Sequence, residues 1–249
     1  MTTNNILRKY SAMLAMTVLI AFLPEACTKE QMPGEKPDGN IVMTTKASQV
    51  NLHVAGEDIV IDWGDGKKSS VSDDLHYNLF SHEYSSAIPR YISITGNITV
   101  FSCSNGGLTA LDVSGSTGLK SLDCGFNQLT ALDLSKNTAL EELSIYGNQL
   151  TTLDLSKNTA LKRFSCYDNK LANLILSAAN TALGNIDCEY NKLTGSVLND
   201  LFKALPNVVT ENMYYPGGYI YVQGNPGEVD CDRSIAEKKG WGFRITRPR

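Results

Sequence analysis

Four cysteines stand at a fixed interval along the chain: Cys103, Cys124, Cys166 and Cys188, with Ile145 in the same place between the second and third. Thiols can attack electrophiles, bind soft metals or pair as disulfides. Metal binding asks for C-x-x-C spacing or mixed Cys/His clusters, and neither is written here. The isoleucine shows what the position accepts, a buried apolar group of modest size. A disulfide between stacked neighbours would need a particular dihedral and Cβ separation. Buried free thiols are the expectation.

Carboxylates recur as well. Asp112, Asp133 and Asp154 stand beside Ser114, Ser135 and Ser156, with Lys136 and Lys157 nearby and Ile175 in the fourth place. Stacked at the usual inter-strand spacing of about 4.8 Å, such carboxylates could hold calcium. The alternative, which the intervening lysines favour, is that each Asp or Ser satisfies the N–H groups of its own turn. His53, His76 and His82 all precede this region and show no ligand spacing. No G-x-S-x-G, H-E-x-x-H, P-loop or G-x-G-x-x-G is present. We therefore assign no catalytic residue, no metal site and no cofactor, and read the chain as a non-enzyme. A formal net charge of −4 without a basic stripe excludes nucleic acid as an expected partner.

A surface is what remains. Glu142, Ser144 and Tyr146, then Arg163, Ser165 and Tyr167, then Asn185, Asp187 and Glu189 hold matching offsets, with Phe126, Asp168 and Tyr190 one step further. Aromatic rings flanked by charges on a rigid scaffold suit a binding face. The candidate ligand-binding residues are Phe126, Glu142, Tyr146, Arg163, Tyr167, Asp187 and Tyr190. A solvated face with some aromatic cross-strand packing is the competing reading.

These residues are positioned by one phrase written about five times between Ile98 and Leu193. Its clearest copy begins at Leu119, with further copies at Leu140 and Leu161. Apolar residues mark a short strand in each copy, as in Leu119, Leu122 and Cys124 or Leu161, Phe164 and Cys166. A second apolar set, such as Leu129, Leu132 and Leu134, returns the chain on an opposite wall. One copy cannot bury enough apolar surface to offset the entropy of ordering its backbone, so only stacked copies are stable. Asn127, Asn148, Asn169 and Asn191 follow each strand where the chain turns inward. A buried amide there can bond turn backbone above and below, which predicts a structural ladder. Gly106 stands at this place in the first copy, beside Asn105.

The spacing L-x-x-L-x-C-x-x-N-x-L resembles the leucine-rich repeat, in the short internalin-type bacterial form that carries a cysteine on the strand. The resemblance covers about 96 residues and implies a solenoid of parallel strands.

Residues 1–26 read as a targeting segment. Arg8 and Lys9 precede an apolar run from Ala12 to Leu23, too short to span a bilayer comfortably. With Cys27 after Ala26 the segment resembles a bacterial lipoprotein signal, which implies lipidation of Cys27 and anchoring at the outer membrane or cell surface. Plain secretion after cleavage at Ala26 is the alternative. Residues 27–40 are polar and broken by Pro and Gly, as a flexible tether would be.

From Ile41 the apolar period becomes two: Val50, Leu52 and Val54, then Ile59, Ile61 and Trp63, before a turn at Gly64-Asp65-Gly66. The pair W-G-D-G and H-x-Y (His82, Tyr84) is similar to polycystic-kidney-disease-type (PKD) domains, which implies a trimmed β-sandwich; a sheet joined directly to the first repeat fits the same residues. After Leu193 the repeat phrase is expected to stop. Ser196 is placed as the N-cap of a helix bearing Val197, Leu198, Leu201, Phe202 and Leu205, ended by Pro206. A tyrosine-rich strand (Tyr214, Tyr215, Tyr219, Tyr221), a short helix ending at Gly240 and a last strand at Phe243 and Ile245 follow, together plugging the open end of the core.

The expected architecture is mainly β: a leucine-rich-repeat solenoid of about five 21–22-residue repeats (98–195), a small N-terminal β-sandwich-like cap (41–97) and a C-terminal α/β cap (196–249). The expected role is a surface binding or adhesion protein that presents the strand face to a protein or glycan ligand. The alternative is a scaffold or accessory subunit of an envelope assembly. Contact with membrane is expected only through the N-terminal lipid anchor.

Overall fold

The computed structural model describes residues 36–71, 78–208 and 217–244. The leader, Cys27 and most of the tether lie outside them, as do His76, Tyr214, Tyr215 and Ile245. The described chain runs through strands β1 (Ile41–Thr45), β2 (Gln49–Asp62), β3 (Lys68–Val71), β4 (Asn78–Glu83), β5 (Arg90–Ser102) and β6 (Leu108–Asp112). Short strands β7 (Ser121–Asp123), β8 (Glu142–Ser144), β10 (Arg163–Ser165) and β12 (Asn185–Asp187) then alternate with return segments β9 (Thr152–Leu155) and β11 (Asn173–Leu176). Helix α1 (Gly195–Ala204), β13 (Gly218–Tyr221), one turn of helix α2 (Ser234–Glu237) and β14 (Trp241–Phe243) complete the order.

Twelve of these strands form one sheet. From β5 onward its ladder is parallel and in register: Phe101, Leu122, Leu143, Phe164, Ile186 and Ile220 lie side by side. All six are buried. The return wall closes the core with its own parallel pair, β9 and β11. This is the leucine-rich-repeat solenoid that the spacing implied.

An asparagine ladder holds the turn after each strand. Asn148 donates through Nδ2 to the carbonyls of Cys124 at 3.0 Å and Ile145 at 3.1 Å, and its Oδ1 accepts the Leu129 N–H at 3.0 Å. Asn127, Asn169 and Asn191 repeat the pattern. At the first turn, which has no ladder asparagine, the buried Thr45 of β1 donates its hydroxyl to the Gly106 carbonyl at 2.7 Å. A second ladder was not anticipated. Asn137, Asn158 and Asn180, all buried, brace the turn at the end of the return wall; Asn158 donates to Leu134 at 3.1 Å and to Asn137 at 2.8 Å.

The N-terminal segment takes the directly joined form of its two expected arrangements. β5 runs through positions 97 and 98 unbroken, pairing with β1 and β2 before it pairs with β7. β1 also pairs with β6, so the cap covers the first return segment and leaves no open apolar edge there. The burial pattern changes phase midway along β2, from even positions (Val50, Leu52, Val54) to odd (Ile59, Ile61, Trp63). Bulges between Ala55 and Val60 make the switch. Gly56 sits at this crossing because a Cβ there would meet the Asn97 carbonyl oxygen at 2.1 Å. The W-G-D-G and H-x-Y residues converge as a staple: Trp63 stacks on His82 at 4.7 Å, His82 Nε2 lies 2.8 Å from Asp65, and Tyr84 donates to the Trp63 carbonyl at 2.8 Å.

At the other end the repeat outlasts its expected boundary. β13 adds to β12 in parallel, and Asn225 joins the first ladder, donating to Cys188 and Val222 at 2.9 Å each. Ile220-Tyr-Val222-Gln-Gly-Asn225 is thus a sixth copy of the strand and turn, with valine in the cysteine column. Asn225 follows Asn191 by 34 residues where the other copies are spaced by 21 or 22, because α1 is inserted between them, and this hid it from the periodic reading. Thr194, rather than Ser196, caps α1, accepting from the Val197 N–H. Leu198, Leu201 and Phe202 bury one helix face, and Trp241 closes the core with its indole N–H on the Pro206 carbonyl at 2.9 Å.

Candidate binding face

Side chains on the outer side of the ladder form columns, one residue per repeat. Register sets Val100, Ser121, Glu142, Arg163, Asn185 and Tyr219 in one, and Ser102, Asp123, Ser144, Ser165, Asp187 and Tyr221 in the next. Glu142 and Arg163 are brought together as an exposed ion pair at 3.2 Å. At the far end the Arg244 guanidinium lies 3.7 Å from the centre of the Tyr219 ring.

The next two columns carry the aromatic candidates. Tyr146 and Tyr167 stack at 5.0 Å with ring planes 3° apart, one repeat from each other as their shared offset required. Phe126 meets Tyr146 edge-on at 4.9 Å. The rings do not project freely, as an outward-pointing reading would have them; they lie along the sheet and are half-buried, Phe126 being 47% exposed. Space for them comes from small neighbours. A Cβ on Gly125 would sit 2.5 Å from Tyr146 Cζ, and one on Gly147 would sit 2.6 Å from Phe126 Cδ1. Burial raises the Tyr146 pKa, as does the charge of Asp123, while a hydrogen bond with Ser104 opposes them. Ser104 in turn donates to Asp123 at 2.7 Å. Tyr190 lies further along, its ring over Gly224.

A constraint invisible in the sequence acts on this face. The residue just before each ladder position has positive φ: Asn105 (59°), Phe126 (50°), Gly147 (62°), Asp168 (56°), Tyr190 (53°) and Gly224 (73°). Glycine or asparagine is the natural occupant of that region. Phe126 and Tyr190 hold it at a cost on the order of 1 kcal/mol each. The turn does not ask for a ring there, since copies with Gly147 and Gly224 turn as well. The only signal available in the sequence was the alternation of aromatic residues with Gly and Asn at one offset.

Two acidic residues behave differently from their neighbours. Glu189, expected on the outer face, is 2% exposed. Asp187 is half-buried beside it, and burial first, then the Glu189 charge, push its pKa up to about 6 against the pull of the Glu189 N–H at 3.2 Å.

The residues best suited to covalent or metal chemistry are spent on the fold. Cys103, Cys124, Cys166 and Cys188 are buried free thiols, and desolvation pushes their pKa values up, away from the reactive thiolate. Asp112, Asp133 and Asp154 accept the N–H of Ser114, Ser135 and Ser156 at 2.9, 2.9 and 2.8 Å, the turn-capping role weighed above against calcium. Of the histidines, His82 belongs to the Trp63 staple and His53 pairs with Ser102 in register at the rim of the strand face. Among the described residues no helix is long and apolar enough to cross a membrane.

No protein-family model matches the chain, and no curated protein matches it. Among solved structures it is similar to the functional domain of InlJ from Listeria monocytogenes, described as including a cysteine ladder. Identity is 28%, over 57% of this chain and 38% of that one, with a TM-score of 0.42. It is also similar to an internalin, inlF, from Listeria monocytogenes strain 4b F2365, at 16% identity over 61% of this chain and 49% of that one, TM-score 0.40. The chain spans less than half the length of either structure it matches.

Proposed function

We propose that this chain is a non-enzymatic binding protein whose ligand docks on the strand face along Phe126, Tyr146 and Tyr167. The carrying observation is the ring row itself: Tyr146 in contact with both Phe126 and Tyr167, with Phe126 held at a positive-φ position that the next copy fills with Gly147. Rigid aromatic anchors dominate the energetics of binding surfaces because they bury large area at small entropic cost. Glu142, Arg163 and Asp187 set the polarity around them, and Tyr190 extends the row.

The test is an array of proteins and glycans probed with the wild-type chain and with Tyr146→Ala/Tyr167→Ala. Loss of an anchoring ring typically costs ~2 kcal/mol or more, a drop of roughly 30-fold. The stacked pair also contributes about 1 kcal/mol to folding, so both proteins are compared well below their melting transitions. Wild-type affinity in a folded double variant would overturn the assignment of the face.

The reading includes display at the cell surface through a lipid on Cys27, supported by the Arg8-Lys9 start, the apolar run and the cysteine after Ala26. Cys27→Ser is expected to move the protein from the membrane fraction to a soluble exported pool. A wild type already fully soluble outside the cell would favour simple secretion.

A further inference from the structure

Where the cap meets the repeats, the strand face opens into a pocket of about 300 Å³. Four strands build it: His53 of β2, Val100 and Ser102 of β5, Asp123 of β7, and Glu142 and Ser144 of β8. Register places His53, Ser102, Asp123 and Ser144 in one row across the sheet. The wall is polar and carries net negative charge at its two carboxylates. It holds two carboxylates, serine hydroxyls and the His53 imidazole, and among the described residues no lysine or arginine lines it. Asp123 is fixed by its own turn and by the preceding copy's, with Oδ1 taking the Gly125 N–H at 3.1 Å and the Ser104 hydroxyl at 2.7 Å. Glu142 is steadied from outside the pocket by Arg163.

We infer that this pocket seats the side chain of a lysine or arginine carried by a protein ligand, an inference that rests on the strand face being the docking surface. An aliphatic stem can lie along Val100 while its cationic head reaches carboxylates and hydroxyls, the arrangement amphipathic side chains favour. The ring row adjoins the pocket, since Tyr146 bonds the same Ser104 that donates to Asp123. Its geometry argues for protein over sugar. Sugar rings stack on exposed aromatic faces, but Tyr146 and Tyr167 turn their faces to each other, and the phenolic end of Tyr146 lies on Gly125. The stacked pair therefore presents ring edges, which suit the uneven side-chain relief of a polypeptide.

Amide ¹H–¹⁵N spectra of the chain, titrated with backbone-capped arginine, lysine, norleucine and with N-acetylglucosamine, test this directly. Capped arginine or lysine is expected to shift Ser102, Asp123 and Ser144 saturably, with norleucine and the sugar leaving them unmoved. Asp123→Asn retains an acceptor for Ser104 and Gly125 but removes the charge, and is expected to weaken the cation about tenfold. Glu142→Gln serves the same purpose should that turn fail to fold. An equal response to norleucine, a response to the sugar alone, or no response to either cation would overturn the inference. The docking reading fails separately, by wild-type ligand affinity in Tyr146→Ala/Tyr167→Ala, and the capped-residue titration does not depend on that result.

Discussion

The two walls of the solenoid are held by the same device and written in opposite styles. Each turn is braced by a column of buried asparagines, Asn127 to Asn225 after the strands and Asn137 to Asn180 after the return wall. On the return wall the residues themselves repeat: Leu132 to Leu140 and Leu153 to Leu161 are the same nine letters. On the strand wall only the buried positions repeat. The outer ones run Ser121, Glu142, Arg163 and Asn185 in one column, and Gly125, Tyr146 and Tyr167 in another. Equivalent positions in stacked copies face the same backbone, so the fold asks the same of each. What the fold needs is seen in the constant wall, and what varies on the other wall is free to serve something else.

The sharpest way to break this comparison is to remove one asparagine from each ladder. Asn148→Ala removes one of the two amide donors that each of the Cys124 and Ile145 carbonyls receives, leaving them to Asn127 and Asn169, and strands the buried Leu129 N–H. At ~1 kcal/mol for each of the two lost carbonyl bonds and ~1–3 kcal/mol for the stranded N–H, a loss of about 4 kcal/mol is expected. Asn158→Ala loses two carbonyl bonds and strands no group, because those carbonyls keep the Asn137 and Leu140 N–H and its own Oδ1 has no partner among the described residues. About 2 kcal/mol is expected there. Urea denaturation of both variants decides it. Equal losses would mean that the two ladders carry equal loads and that the unsatisfied oxygen on the return side is met by water.

A smaller effect should separate strand-face chemistry from strand-face packing. In the folded protein Asp187 has its pKa raised from 3.8 to about 6, so the fold prefers its protonated form. That preference is fully present below pH 3.8 and is lost as pH rises through about 6, where the buried charge must be carried. Asp187→Asn keeps an acceptor for the Glu189 N–H and removes the charge. It should stabilise the protein above pH 6 by at most about 2 kcal/mol, once solvent screening of this half-buried group is allowed for, and change little at pH 4. Melting curves at the two pH values measure this. A destabilised variant at pH 8 would show that the carboxylate has a cationic partner in the fold.

Much of what repeats, and little of what varies, could be read from the residues. The strand phrase, the first asparagine ladder and the thiol column follow from spacing because each copy states the same physical demand. The second ladder was written as plainly, in Lys-Asn-Thr-Ala-Leu, yet an asparagine after Ser-Lys reads as an ordinary surface turn until stacking buries it. The sixth copy was masked by α1, whose apolar face at Leu198, Leu201 and Phe202 speaks in helical period. Tyr146 and Tyr167 were legible as neighbours. Their half-buried stacking was not, because it depends on the missing side chain of Gly125, a contact between copies. Positive φ at Phe126 and Tyr190 is set by the turn and leaves no mark in the residue type.

Phe126 is where the two styles collide, so its replacement tests the comparison most finely. The ring sits at φ 50°, a region that costs a non-glycine residue on the order of 1 kcal/mol. Its equivalent in the next copy is Gly147, which relieves that strain and also makes the room Phe126 occupies. Phe126→Gly gives up an edge-on contact with Tyr146 worth ~0.5–1.5 kcal/mol and some unfolded-chain entropy, and recovers the strain. The terms nearly cancel, and stability within about 1 kcal/mol of wild type is expected. Phe126→Val should fare worse, because a branched Cβ is a poor occupant of the left-handed region. If the strand wall is written for a ligand, Phe126→Gly should lose affinity while melting almost where the wild type does. A drop in stability of several kcal/mol would instead make the ring part of the fold, and Phe126 would then belong with the asparagines rather than with the face.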